Sequence, residues 1–162
     1  EVDASALLGK ENEGWSVAGQ ILANERIGVP RYALTWRGFS RALEVMRLNG
    51  RLTGELILSR AARCEAALKA ARLMALGVID KRVKHQPADV SVNIARYAAV
   101  WADRLVVEFL GDFASDLLFY EIEPLVTAAY KRATSIGIGA GAAEVQLNLV
   151  ARNHLQLPRG AV

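Results

Sequence analysis

The sequence has little of several residue types that would direct a chain to particular functions. Its 162 residues include one cysteine, Cys64, and two histidines. A single cysteine excludes an internal disulfide and a cysteine-ligated metal cluster. Neither His85 nor His154 has a carboxylate at the spacing of metal ligands, so no metal site is predicted.

Long apolar runs are also missing. No stretch of about 18 uncharged apolar residues occurs, so no membrane span is predicted. The first residues are acidic and lack the apolar block of a signal peptide. With a lone cysteine, this pattern favours a cytoplasmic location.

Charge of one sign is scarce as well. Twenty Lys and Arg stand against seventeen Asp and Glu, which gives a net charge of +3. The two signs are interspersed, and the densest basic run, residues 81–85, falls at a predicted helix end, where cations complement the helix dipole. Nucleic-acid binding requires a concentrated basic stripe with aromatic residues between the cations. No nucleic-acid partner is therefore expected.

What the chain does contain is helical periodicity. The hydrophobic fraction is 52%, enough for a globular domain, and no segment alternates as a strand would. After an entry loop over residues 1–13, a helical bundle domain is predicted over residues 14–162. Its first helix opens at Trp15, and further helices are predicted over residues 31–48, 54–81, 88–118, 124–134 and 142–155. We expect an all-α fold, most simply an up-down four-helix bundle with appended helices.

Three of the predicted helices have apolar faces that define an expected core. In the helix over 31–48 the face consists of Trp36, Phe39, Leu43 and Met46. In the helix over 54–81 it consists of Ile57, Ala61, Cys64, Leu68, Ala71, Ala75 and Val78. In the helix over 88–118 it consists of Ile94, Ala98, Trp101 and Leu105, and Asp103 is counted among the polar positions.

Two stretches carry candidate chemistry. Residues 137–142, Gly-Ile-Gly-Ala-Gly-Ala, precede a predicted helix whose N-terminal N–H groups could bind a polar ligand, although a glycine-rich segment can equally be a plain turn. Glu25 lies on an otherwise apolar helix face with Trp15 and Leu22. A carboxylate desolvated there has a raised pKa and suits a general base. The alternative is an exposed pair of Glu25 and Arg26 on a helix surface.

Together these stretches resemble the C-terminal domain of acyl-CoA dehydrogenases. Residues 8–15, Leu-Gly-Lys-Glu-Asn-Glu-Gly-Trp, and 22–26, Leu-Ala-Asn-Glu-Arg, are similar to the family's passage from its middle β-domain into the C-terminal helical domain. Residues 139–146 and 155–159 are similar to the family's ending. The resemblance covers essentially the whole chain. It implies a four-helix bundle, FAD as cofactor, and α,β-dehydrogenation of an acyl-CoA thioester.

The resemblance also implies roles for individual residues. Family members place the catalytic base either in the terminal loop, where this chain has Ala140, or on the first helix of the domain, as in isovaleryl-CoA dehydrogenase. Glu25 matches the second position and would remove the α-proton. Arg26 would bind the thioester or pantetheine end of the substrate. The implied cofactor contacts are Gly139, Gly141, Glu144 and Arg47.

Three positions depart from the family's cofactor pattern. Residues 47–51 lack the Phe of the R-x-x-F-G motif, Ala142 replaces a Thr, and residues 110–114 replace a G-G-x-G stretch. The alternatives are therefore a non-catalytic or FAD-deficient partner subunit of a heteromer, or a plain helical oligomerisation module. The family's N-terminal and middle domains are not in the sequence, so we expect these residues to be inactive alone. An apolar face left exposed predicts a homo- or hetero-oligomer, dimer or tetramer.

Overall fold

The computed structural model describes residues 3–25, 27, 30–87, 89–119, 122–139 and 141–158. After a 3₁₀ turn at Ala4–Ala6, the described residues form seven α-helices joined by turns and loops. They are α1 (Gly14–Glu25), α2 (Pro30–Leu48), α3 (Glu55–Val83), α4 (Ser91–Phe113), α5 (Ser115–Phe119), α6 (Pro124–Ser135) and α7 (Ala143–Asn153). The all-α prediction is confirmed, and α2, α3, α6 and α7 begin and end within two residues of their predicted bounds.

Helices α2, α3, α4 and α6 form the bundle, with α4 at its centre. Helix α4 packs against α2, α3 and α6, and it also contacts α5 and α7. The short connections from α2 to α3 and from α3 to α4 make each helix reverse the direction of the one before it, which is the up-down arrangement. Among the described residues, no helix combines the length and the apolar character that crossing a bilayer requires.

Helix α3 buries one stripe, as its sequence predicts. From Ala61 to Val78 every predicted stripe residue is buried, and Ile57 is half-buried. Its other faces are solvated, with Leu73 68% exposed. Within the stripe, the thiol of Cys64 donates a hydrogen bond to the carbonyl oxygen of Leu105 at 3.3 Å. Burial raises the pKa of this thiol to about 11.

Helix α4 is buried on several sides, and here the predicted stripe is largely wrong. Leu105 is buried, but Trp101 is 41% exposed, and Ile94 and Ala98 are only half-buried. The buried set is broader: Val92, Ala95, Arg96, Ala99, Val100, Ala102, Asp103, Leu105, Val106, Phe109 and Leu110. A helix with neighbours around most of its circumference has no single apolar stripe to detect, and its buried positions extend to charged residues.

The end of α4 also differs from its prediction. One helix was expected to reach residue 118, but α4 ends at Phe113 and α5 begins at Ser115. Between them Ala114, fully buried, has φ −139° and ψ 28°, outside the helical region. This break lets the chain change direction before α6.

Close packing of α2 on α6 depends on Gly38. A Cβ atom at this position would lie 2.2 Å from the Cβ of Ala129 and 3.1 Å from the carbonyl oxygen of Leu125. Glycine therefore allows the two helices to approach more closely than alanine would. Beside this contact, the rings of Phe39 and Phe109 pack edge to face, with their centroids 5.4 Å apart.

Two arginines connect α2 and the loop after it to the chain around α5. Arg41 binds both carboxylate oxygens of Glu123 at 2.7 and 3.0 Å. Arg51 binds both carboxylate oxygens of Asp116 at 2.8 and 2.9 Å, and it lowers the pKa of that carboxyl. Arg51 also donates to the carbonyl oxygen of Phe113 at 2.8 Å. The segment that lacks the family's Phe thus contains an arginine used for intramolecular contacts.

Candidate functional site

The terminal loop, of which residues 136–139 and 141–142 are described, joins α6 to α7 and lies against α4. The guanidinium of Arg96, which is fully buried, donates from Nη2 to the carbonyl oxygens of Ile136 and Gly139. Arg96 comes from α4, so a long-range contact holds the loop to the central helix. The predicted cofactor residue Gly139 therefore has its carbonyl oxygen engaged by the chain itself.

Gly141 is required by a neighbouring side chain. Its φ is +94°, and a Cβ atom there would lie 2.1 Å from Nε2 of Gln146. The Gln146 side chain is fully buried, and its Oε1 accepts a hydrogen bond from Nδ2 of Asn93 at 2.8 Å. The space that glycine leaves at 141 is filled by Gln146, so this part of the loop is packed rather than open as a ligand cradle.

A cleft of about 360 Å³ opens beside the loop, between α4, α6 and the start of α7. Its lining is largely apolar, with charged groups at the rim. The lining residues are Val100, Arg104, Val107, Glu108, Ala133, Thr134, Gly137, Ile138, Ala142 and Glu144. Ile138 is 80% exposed. Arg104 and Glu144 form an exposed ion pair across the rim at 3.6 Å.

The N-terminus of α7 borders the same cleft. Its N-cap residue, Ala142, makes no side-chain hydrogen bond, so the first-turn N–H groups lack the usual capping oxygen. An apolar wall, the N-terminus of a helix and an adjacent guanidinium fit the edge of a ligand that is part apolar and part anionic, as FAD is. The residues present therefore fit a partial contact with the cofactor that the resemblance implies.

The structure brings three of the four predicted cofactor residues together. Gly139 and Gly141 lie in the terminal loop, and Glu144 lies on the cleft rim. Arg47 is exposed in the last turn of α2, close in sequence to Arg51, which contacts the far end of α4 at Phe113. At 1.5 Å per residue, about 25 Å along the α4 axis separates Arg96 from Phe113. Arg47 is therefore distant from the loop.

The predicted base lies on an exposed helix surface, in contrast with the packed terminal loop. Glu25 is the last residue of α1, and its side chain is exposed. Trp15 is 86% exposed and Ile21 56% exposed on the same helix. Among the described residues, the expectation that this face desolvates Glu25 is wrong, because Glu25 and the apolar side chains of Trp15 and Ile21 are exposed. Arg26 lies outside the described residues.

A buried polar cluster, which sequence reasoning missed, lies inside the bundle. Asp103 is 2% exposed, and burial raises its pKa to about 6, against the opposing effects of the Thr35 hydroxyl and the positive charges of Arg96 and Arg132. The available signal was the spacing of Arg96 and Asp103, seven residues apart and hence on one face of α4. Because Asp103 was assigned to the polar side of the helix, that signal was not used.

The chain is similar to known proteins in sequence over most of its length and in fold over nearly all of it. The sequence profile of the family described as "Acyl-CoA dehydrogenase, C-terminal domain" matches residues 12–155. The solved structure of the Tcur3481-Tcur3483 steroid ACAD (acyl-CoA dehydrogenase) has a TM-score of 0.76, and that of its G363A variant 0.79, each at 22% identity. Each match covers 98% of this chain and 44% of the solved chain. A search of curated proteins finds no significant match.

Proposed function

The chain belongs to the acyl-CoA dehydrogenase family, as its C-terminal helical domain, and we propose that it is part of an FAD-dependent enzyme that introduces an α,β double bond into an acyl-CoA thioester. The observation that supports this most strongly is the family match over residues 12–155. The chain spans less than half the length of the solved relatives. Activity, substrate and cofactor are accordingly proposed for the whole protein.

In this proposal Glu25 accepts the α-proton of the substrate. Its carboxylate is exposed and lies at the C-terminal end of α1. A further domain that covers the apolar side chains of α1, among them Trp15 and Leu22, would exclude water and strengthen Glu25 as a base.

The terminal loop and its cleft form the proposed contact with the cofactor. When bound, FAD supplies the acceptor for the β-hydride. The apolar side chains of Ile138 and Val100 would exclude water along one edge, and the N–H groups at the start of α7 would donate to polar groups of the ligand. Glu144 holds Arg104 at the rim, and Arg26 is proposed to bind the thioester end of the substrate.

A second candidate is a partner subunit in a heteromeric acyl-CoA dehydrogenase. Ala142 favours it, because an alanine N-cap gives the loop one side-chain hydrogen bond fewer than the family's threonine would. The name of the solved relatives, Tcur3481-Tcur3483 steroid ACAD, joins two designations. In both candidates we propose a homo- or hetero-oligomer, and acyl-CoA thioesters with steroid, branched and fatty acyl groups should be tried as substrates.

The test uses the full protein that contains this chain, purified and examined for flavin absorbance. Mixing it anaerobically with each acyl-CoA should bleach the flavin. The Glu25→Gln variant should retain flavin and slow the bleaching about 10³-fold, the size expected for loss of a general base. Glu13→Gln, an exposed glutamate just before α1, is the matched control and should react at the normal rate.

Two results would contradict the proposal in different ways. A normal rate in Glu25→Gln would remove Glu25 as the base. A colourless protein that recovers flavin and activity only with a second acyl-CoA-dehydrogenase-like chain would favour the partner subunit.

A further inference from the structure

We propose that Arg96 is a positioning residue that fixes the terminal loop in shape before any ligand binds. Its Nη2 atom donates to two carbonyl oxygens, those of Ile136 and Gly139. Two acceptors three residues apart converge on one nitrogen, so the turn over residues 136–139 is tied to α4 at both ends. That segment carries Ile138, the exposed side chain on the cleft wall.

Burial of the charge makes this contact strong. Arg96 is fully buried, and a guanidinium inside a protein is tolerated only where polar groups replace its water. The two loop carbonyls are part of that replacement, and the charge of Asp103 also acts on Arg96. Moving the loop away would break both hydrogen bonds to this guanidinium. The position of the loop is therefore coupled to the energy of a buried charge.

A second anchor holds the other end of the loop from the same turn of α4. Asn93, three residues before Arg96, donates to Gln146, whose amide fills the space under Gly141. The loop is thus fixed at its start, its middle and its end by one helical turn and one α7 side chain. A loop ordered in advance adds little entropy cost when a ligand binds.

The link to the cofactor rests on the proposed function, whereas the bracing of the loop does not. If the cleft wall contacts FAD, the loss of Arg96 should weaken cofactor binding although Arg96 itself is buried behind the loop. This separates a positioning residue from one that touches the ligand. It also gives two measurements that can fail independently.

The first measurement is amide hydrogen exchange in the full protein with Arg96→Met and Arg96→Lys. Hydrogen bonds from a charged group contribute about 1.5–3 kcal/mol, so Arg96→Met should speed exchange of the loop amides about tenfold to a hundredfold. The α3 amides should be unchanged, and Arg96→Lys, which retains the charge, should give a smaller effect. Arg72→Met, an exposed arginine on α3, is the matched control and should leave the loop amides unchanged.

The second measurement is the FAD dissociation constant and the flavin absorbance band of the same variants. Arg96→Met should raise the dissociation constant by about tenfold and alter the band shape, and Arg96→Lys should partly restore both. If Arg96→Met does not fold, Arg96→Lys takes its place, because it keeps the buried positive charge but loses the planar guanidinium that reaches both carbonyl oxygens.

The outcomes distinguish the two ideas. Unchanged loop exchange in Arg96→Met, or in Arg96→Lys where Arg96→Met does not fold, overturns the bracing. Faster loop exchange with an unchanged dissociation constant overturns the link to the cofactor. A parent protein that binds no FAD contradicts the proposed function, whereas the exchange data still decide the role of Arg96.

Discussion

Helix α1 and the terminal loop carry the two halves of the proposed site, and they are built in opposite ways. The loop is held by buried side chains: Arg96 and Gln146 are both fully buried and both contact or fill it. Helix α1 ends in an exposed Glu25, and its largest side chain, Trp15, is 86% exposed. The loop is packed by side chains of this chain, whereas α1 presents an exposed surface.

The difference reflects an uneven distribution of packing contacts between α4 and α1. Most contacts between helices involve α4. The segments that pack against α4, including the loop and its cleft, are therefore held in place by this chain. The proposed base needs a dry environment that α1 does not provide for itself. We infer that the geometry of the loop is intrinsic to the bundle, and that the environment of Glu25 depends on what packs over α1.

The contrast between the loop and α1 depends on α4 being the packing centre of the bundle. Phe109 is fully buried and packs against the rings of Phe39 and Phe113, with centroids 5.4 and 5.2 Å away. Phe109→Ala should lower the free energy of unfolding of the bundle by about 3–5 kcal/mol, since it leaves a cavity. Urea unfolding measures the loss. A loss below about 1 kcal/mol would mean that α4 is not the centre on which the fold depends.

The role of buried charge in the loop half can be tested through pH. Burial raises the pKa of Asp103 to about 6, so the folded protein keeps this proton at pH values where the unfolded chain, with an ordinary pKa of about 3.9, has lost it. The contribution of Asp103 therefore becomes less favourable to folding as the pH rises through this window, and it is constant above it. Arg96, Arg132 and Thr35 face the carboxylate and limit this cost.

Asp103→Asn removes that titration. Relative to the parent, its free energy of unfolding should improve by roughly 2–3 kcal/mol between pH 4 and pH 7, which corresponds to about two pKa units. Urea unfolding at a series of pH values measures this difference. Asp112→Asn, an exposed aspartate on the same helix, should show no such trend. Equal pH profiles for Asp103→Asn and the parent would show that Asp103 does not titrate in this window.

The smallest effect is expected on α1. Trp15→Ser removes a side chain that is 86% exposed, so the free energy of unfolding of the bundle should change by no more than about 0.5 kcal/mol. Urea unfolding should therefore superimpose on that of the parent. A loss comparable to that of Phe109→Ala would show that α1 is part of the core, and the contrast with the loop would disappear.

How far the sequence predicts this molecule depends on how many sides each element buries. Helix α3 is solvated on one side, so its stripe from Ala61 to Val78 was visible as a period. Helix α4 is buried around most of its circumference, and its period disappears because charged residues such as Arg96 are core residues there. Helix ends were predicted well where Pro124 or Asn49-Gly50 marks them, and poorly at Ala114, which carries no local signal.

The candidate site follows the same rule. The glycine-rich pattern singled out Gly141, the family resemblance added Glu144, and both lie at the cleft or its loop. The residues that hold the loop, Arg96 and Asn93, come from a helix that precedes their partners by 40 and 53 residues. Long-range partners of this kind leave no trace in local spacing, so the sequence could indicate the loop but not what fixes it.

Because the thiol of Cys64 is buried, a cysteine introduced elsewhere in the chain can be labelled selectively. It is the only cysteine of the 162 residues, it is 2% exposed, and its raised pKa of about 11 leaves very little thiolate at neutral pH. A cysteine introduced at an exposed position such as Ile138 would therefore react with a maleimide dye far faster than Cys64. A fluorophore attached at position 138 would report on the terminal loop, and Cys64 would not have to be replaced.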